Sequence, residues 1–334
     1  MSGLVSALNA PDGLTESEVL REHARTLLPA WGLASDTPIS LLNVSENTTL
    51  GVGHDLILRI HRNGYSSFDE IASELAWVTA VRNDTGLSTP FVVPADSGQV
   101  ILRSRVEALR SDRYAVMFRR LSGHEPDGTN LATLFEPLGA ITARLHAHSR
   151  NWIRPKGFVR RIWDVELSIG ELGHWGHWRK GLGVGSSERE VLGRLAEHIA
   201  TRLVAFGFGP DRFGLVHADL RLANLLVTDD GDISLLDFDD SGFSWFGYDL
   251  GSSLSFIEDH PDRDALIDSW CTGYRSVATL EAEVERELMT FVMLRRLILT
   301  AWFGTHPDIE LAHSIGKTFA AVTCRLAEEF LTDS

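Results

Sequence analysis

The stretch GLVHADLRLANLLVTDDGDISLLDFDDSGFSWFGYDL, from Gly214 to Leu250, constrains this chain more than any other feature. Short apolar runs alternate with compact polar turns, a pattern that reads strand, tight loop, strand, hairpin, strand. His217, Asp219 and Asn224 fall in the first loop, and Asp237 follows the apolar run Ile233 to Leu236. An Asp, an Asn five residues later and a second Asp at a strand end are the groups that metal-assisted phosphoryl transfer needs. One carboxylate orients the attacking hydroxyl, while the amide and the other carboxylate hold the Mg2+ that bridges the phosphates of ATP. His-x-Asp-x-x-x-x-Asn alone is a moderate signal; joined to the strand-end Asp it is a strong one.

The rest of the chain divides into a β-rich first part and a helical second part. A first helix starts at Thr15, where Glu18 completes a capping box and Leu14 faces Val19 as a staple. Strands follow at Ile39 to Val44, Thr48 to Val52 and Leu56 to Ile60, then a helix from Ser67, boxed by Glu70, to about Asn83. Two further strands, near Val100 to Arg105 and Tyr114 to Phe118, complete a small, mostly antiparallel sheet. Arg119 to Asn130 reads as a connector. Beyond it Leu134, Leu138, Ile141 and Leu145 recur at helical spacing up to His148, and Ser187 with Glu190 caps a helix carrying Leu192, Leu195, Ile199 and Leu203. Residues 149–186 carry no clear periodicity, and helices fill most of 260–332. The expected fold is α+β and two-lobed: residues 1–121 form a nucleotide-binding lobe, with a leading helix in 1–35, and 122–334 a catalytic and acceptor-binding lobe.

With 334 residues and a formal net charge of -15, the chain has ample material for a core and the wrong sign for nucleic acid or anionic membrane. The acidity serves solubility or the attraction of cationic substrates. Cys271 and Cys324 fall in helical patterns, as buried thiols of a reducing compartment do. The start MSGLVSALNAPDG lacks a basic segment and a continuous apolar core, and no stretch approaches the roughly 18 apolar residues of a membrane span. A cytoplasmic protein is expected.

In the first part, alternation puts Ile57 and Arg59 on one face of their strand. On the following helix Ile71, Leu75 and Val78 mark the apolar face, and Glu74 shares it. A carboxylate there needs a partner, because an unpaired buried charge is costly, and Arg59 is the candidate. Such a pair either ties helix to sheet or, beside a Mg2+ site, holds the α- and β-phosphates of ATP. The downstream motif favours the second role.

These segments together resemble the kinase-like superfamily of aminoglycoside phosphotransferases, choline kinases and type II homoserine kinases. The resemblance runs from about Ile39 to Leu331 and rests on LILRIH, SELAWV, ITARLHAH, HADLRLAN, SLLDFDD and YDLG. It implies that Asp219 is the catalytic base, that Asn224 and Asp237 are Mg2+ ligands, and that Arg59 with Glu74 orients the phosphates. It also implies that Ile57 roofs and Leu226 floors the adenine of ATP. Asp249 and His217 match residues that brace the catalytic loop. Arg221 matches the place where protein kinases set a Lys against the transferred phosphate, with a solvent-exposed loop charge as the alternative.

Two departures stand out. Arg59 occupies a position usually held by Lys, and no lysine precedes Lys156. Arginine binds phosphate competently, though with different geometry. The loop Ser45-Glu46-Asn47-Thr48-Thr49 lacks the glycines of a phosphate-covering flap.

Other constellations carry less. Gly316-Lys317-Thr318 lacks the upstream glycine and strand of a P-loop. His146-x-His148 and His174-x-x-His177 lack partners for a zinc site and read as surface or capping histidines. Trp152, Trp163, Trp175, Trp178, Trp245, Phe246 and Tyr248 read as packing residues, with a cradle for a quaternary ammonium as the alternative.

The expected function is ATP- and Mg2+-dependent phosphorylation of a small-molecule hydroxyl: an amino alcohol, hydroxy amino acid, sugar or aminoglycoside. Ten residues between Asp237 and Tyr248 leave no room for a long activation loop, which sets a stress-response type of protein kinase second. A nucleotide-binding pseudokinase is the remaining alternative.

Overall fold

The computed structural model of the chain describes residues 15–333. Thr15 caps α1 (Glu16–Leu27): its hydroxyl accepts from the Glu18 N–H while Glu18 accepts from the Thr15 N–H at 2.8 Å. Leu14, the expected staple partner, lies outside the described residues. The strands β1 (Ile39–Val44), β2 (Asn47–Val52) and β3 (Leu56–His61) form consecutive antiparallel hairpins. Ser67 and Glu70 box the start of α2 (Phe68–Thr85), as their spacing predicts. β4 (Phe91–Val93), β5 (Leu102–Val106) and β6 (Ser111–Arg119) follow. The six strands form one antiparallel sheet in the order β1-β2-β3-β6-β4, with β5 on β6. β4 has no sequence signal beyond three apolar residues between two prolines, too short a run to show a period.

Each face of this sheet has its own cover. Leu58 and Ile60 of β3 join Leu50, Val52, Ala115 and Met117 against Val19, Leu20, Ala24 and Leu27 of α1. On the opposite face Ile57 packs with Val116 and Phe118 against Ile71 and Leu75 of α2. Full burial of each Leu or Ile contributes about 1.5–3 kcal/mol, so the alternation on β3 fixes its orientation strongly.

The helical part begins with α3 (Leu131–Asn151), β7 (Arg161–Ile162), α4 (Val165–Ile169) and α5 (Ser186–Phe206). α5 starts earlier than Ser187 and Glu190 suggest. Gly185 is its N-cap, and the Glu188 carboxylate accepts the Gly185 N–H at 2.9 Å, so the acidic residue two positions earlier serves the helix start. Leu192, Leu195, Ile199 and Leu203 are fully buried on its inner face. The strands β8 (Phe213–Val216), β9 (Leu225–Val227), β10 (Ile233–Leu235) and β11 (Gly242–Trp245) then lead to α6 (Tyr248–Ser253). They belong to two small sheets: β9 pairs β10, whereas β8 pairs β11, which also pairs β7. α7 (Arg263–Arg275), α8 (Ala282–Arg286), α9 (Leu288–Thr305) and α10 (Lys317–Asp333) complete the chain.

Against the sequence expectation, α9 is long and apolar enough to cross a membrane by length and composition. Of that helix 78% is buried within the protein, with Phe291, Leu294, Leu297 and Ile298 in the main core. Its apolarity is thereby accounted for as a core helix packed on several sides.

By its contacts the chain forms two compact units. One comprises the described residues up to Asn83 with Ser88–Ser122 and Arg154–Val159; the other comprises Asp84–Leu87, Gly123–Ile153 and everything from Arg160 onward that is described.

Candidate active site

The loop after β8 owes its shape to buried hydrogen bonds. Ala218 adopts a left-handed backbone (φ 69°), rare for a residue with a Cβ. What holds it there is Asp249, fully buried in α6, whose carboxylate accepts from the N–H groups of His217 (3.1 Å) and Ala218 (2.7 Å). Leu220 N–H donates to Ser252 Oγ at 3.0 Å. His217 Nε2 donates to Leu236 O at 2.9 Å, and its Nδ1 accepts from the Asp219 N–H at 3.3 Å. One neutral imidazole thus links the loop to the chain just before Asp237; burial holds its pKa below the usual histidine range.

His146 corrects the sequence reading. Far from the surface, it is wholly buried on α3, with Nε2 donating to Asp249 at 3.0 Å and Nδ1 3.2 Å from the Tyr274 hydroxyl. Burial lowers its pKa too. His148 faces Asp84 at 3.0 Å, and His177 caps a short turn by accepting the Arg179 N–H at 3.1 Å.

Asp219 is 8% exposed and engaged through both oxygens. Asn224 Nδ2 donates to Oδ2 at 2.6 Å and to the Asp219 carbonyl at 2.9 Å. Arg221 Nε reaches Oδ2 at 3.3 Å, so Arg221 is not simply a solvated loop charge. Arg295 of α9 donates from Nη2 to Oδ1. Burial disfavours the charged carboxylate, but Arg295 and then Arg221 outweigh it and hold Asp219 below the usual carboxylate range. Arg295 had no signal in the loop motif. The available hint was a pair of arginines inside an otherwise apolar helical run, since buried charge demands a partner. Its hydroxyl neighbour Tyr248, 3.2 Å from Nη1, has its pKa pushed up to about 12 by burial.

Asp237 lies just past β10, half-buried, with φ 53°. A left-handed aspartate costs on the order of 1 kcal/mol or more and persists only where the surroundings impose it. Here Arg160, buried, donates to the carbonyls of Ser241 (2.6 Å), Phe238 (3.2 Å) and Asp239. Trp163 Nε1 adds a bond to Asp240 O at 2.9 Å. Among the described residues no group of three or more His, Cys, Asp or Glu side chains is placed to hold a metal ion. Asn224 and Asp237 instead offer two hard oxygen donors: with Nδ2 committed to Asp219, the Asn224 Oδ1 remains as its acceptor. Such a pair suits Mg2+ or Ca2+, which take their remaining ligands from phosphates and water.

In the other unit Arg59 and Glu74 form the pair that their faces predict. Nη2 lies 2.5 Å from Oε1, both residues are buried, and the guanidinium sits 5.1 Å from the centroid of Phe118. Ile57 is half-buried on the same strand face, and the turn Ser45-Glu46 between β1 and β2 contains no glycine. Leu226, half-buried, pairs Ser234 across β9 and β10. The aromatic set is core: Trp163, Trp175, Trp178, Trp245, Phe246 and Tyr248 are buried in one cluster, while Trp152 is only partly covered. Gly316-Lys317-Thr318 lies at the junction of a π-turn and α10, not after a strand.

Comparison with known proteins agrees with this chemistry. The family model described as the phosphotransferase enzyme family matches residues 41–283. Amicoumacin kinase of Bacillus subtilis (strain 168) is 25% identical over 302 residues, which cover 85% of this chain and 83% of that protein. The solved structure of a microcompartment-associated aminopropanol kinase is 42% identical, with a TM-score of 0.86, covering 93% of this chain and 97% of the other. The amicoumacin kinase hAmiN, solved in complex with AMP-PNP, Ca2+ and Ami, has a similar fold (20% identity, TM-score 0.75, 96% and 94% covered).

Proposed function

The chain belongs to the phosphotransferase enzyme family and is a phosphotransferase with an alcohol group as acceptor, and from that premise we propose that it transfers the γ-phosphoryl group of ATP to an amino alcohol. The observation that carries the chemistry is Asp219, oriented through both oxygens, on the same braced loop as Asn224 and one strand hairpin before Asp237. The choice of acceptor rests on the 42% identity with a structure named an aminopropanol kinase.

Asp219 accepts a hydrogen bond from the acceptor hydroxyl and takes its proton as the new P–O bond forms and the bond to the β-phosphate oxygen breaks, releasing ADP. The charge around Asp219 makes it a better positioner than base, which suits a loose transition state where proton transfer comes late. Asn224 and Asp237 would hold Mg2+, which would supply positive charge to offset that of the phosphates. Arg59, steadied by Glu74, binds nucleotide phosphate; Ile57 and Leu226 are apolar contacts for adenine; Arg221 stabilises the moving phosphoryl group. In this reading the described residues up to 121 form the nucleotide lobe and those from 122 onward the catalytic lobe of a cytoplasmic enzyme, with Arg154–Val159 grouped by its contacts with the former.

A coupled ADP-release assay over a panel of alcohols tests the acceptor. The highest kcat/KM is expected for vicinal amino alcohols, and preference for a sugar or a protein acceptor overturns that choice. Asp219→Asn should lower turnover by about 10²–10⁴-fold while ATP binding stays close to wild type. Undiminished turnover in that variant would remove Asp219 from the chemistry.

A further inference from the structure

Asp219 does not meet its acceptor as a bare carboxylate. Oδ1 is held by Arg295, and Oδ2 by Asn224 at 2.6 Å and Arg221 at 3.3 Å. The two arginines differ in freedom. The Arg221 side chain is 29% exposed, whereas that of Arg295 is 2% exposed. Arg295 also donates to Ser255 Oγ (2.9 Å), Tyr248 Oη (3.2 Å) and Ala218 O (3.4 Å), and its guanidinium lies 5.3 Å from the Trp175 ring centroid. With its donors committed to fixed protein acceptors, Arg295 is built into the core and cannot swing out to a ligand.

An amino alcohol has two ends that suit a carboxylate. Its ammonium would normally win, because charge attracts charge more strongly than a hydroxyl does. Bound that way round, the hydroxyl points away from the phosphate and no transfer follows. A guanidinium already seated on the carboxylate cancels the attraction for an ammonium and repels it. A hydroxyl carries no charge and needs only a lone pair.

We propose that Arg295 is a specificity-determining positioning residue: by permanently neutralising Asp219, it reserves that carboxylate for the hydroxyl end of an amino alcohol and excludes the ammonium end. The idea rests on the amino-alcohol reading above. It explains why a buried arginine is kept beside a carboxylate that must stay reachable, since such a pair adds selectivity by repulsion more readily than it adds stability.

The test is a double-variant cycle on the full chain, read by calorimetric binding of 1-aminopropane, which has the ammonium but no hydroxyl. Asp219→Asn leaves Arg295 uncompensated and should bind 1-aminopropane no more tightly than wild type. Arg295→Met should bind at least about tenfold more tightly, and the gain should vanish in the double variant Arg295→Met, Asp219→Asn. Arg295→Lys, which keeps the charge, should stay at the wild-type value. A folded Arg295→Met with no gain in affinity overturns the proposal. Should Arg295→Met not fold, Arg295→Gln, which keeps a donor and loses the charge, is read in the same way and with the same expected gain. The role of Asp219 in transfer is read separately, from the turnover of Asp219→Asn, so the two ideas fail independently.

Discussion

At the scale of residues, the loop motif names groups close in sequence and leaves out those brought from afar. Asp219 and Asn224 are five positions apart, so their contact follows from local geometry. Arg295 reaches Asp219 from 76 positions away, His146 reaches the loop's brace Asp249 from 103 positions away, and no spacing rule links either to the loop. Arg59 and Glu74 were legible because a strand period and a helix period each put a charge on an apolar face. If Arg59 binds phosphate, Arg59→Met should lower kcat/KM for ATP by about 10²-fold, the usual cost of removing one charged donor. Glu74→Gln removes the carboxylate that the Arg59 guanidinium meets at 2.5 Å and should lower stability in denaturant titration. Chelation by EDTA should stop turnover, with Mg2+ restoring it in wild type and Asp237→Asn responding only at raised Mg2+; full activity in EDTA overturns the metal roles of Asn224 and Asp237.

Among the elements, caps and short hairpins were read well where the side chain itself makes the bond, as at Thr15 and Ser67. They were read less well at α5, where two candidate acids lie close together and only packing selects Glu188. The pairing of β8 with β11 leaves no trace in the sequence, because tertiary contact sets it. The crossing of α3 and α7 was likewise invisible. A Cβ on Gly139 would lie 2.0 Å from Trp270 O, and one on Gly273 would lie 1.7 Å from Glu136 O. Each glycine lets the facing helix backbone come to contact. Gly273→Ala should therefore destabilise the protein by more than about 2 kcal/mol despite alanine's better helix propensity, because overpacking outweighs the gain of roughly 1 kcal/mol. A melting temperature equal to or above wild type would contradict that view of the crossing.

For the whole molecule, buried neutral histidines set the acid limit. His146 and His217 are fully buried, and burial keeps both pKa values below the ordinary 6.5. The unfolded chain then binds more protons than the folded one as pH falls through that value, so stability decreases towards acid. Each histidine should remove about 1.4 kcal/mol per pH unit between its unfolded and folded pKa. Denaturant midpoints between pH 7 and 5 should fall steeply in wild type and less steeply in His146→Gln. An unchanged slope would show that His146 already carries charge when folded.

The amino-acid sequence by itself determined the order of most elements, the α+β class, the Arg59 and Glu74 faces and the cluster around Asp219, because periodicity and short spacing act over a few residues. It also marked Asp249 as a brace through resemblance. Tertiary structure alone decided that Arg295 shares the Asp219 carboxylate, that His146 supports Asp249, and that α9 is a core helix although its composition would suit a bilayer. Buried charge must find a partner, but which partner it finds depends on how distant segments pack. The motif around Asp219 therefore specifies a reaction, and the residue that limits which end of an acceptor meets it comes from the core.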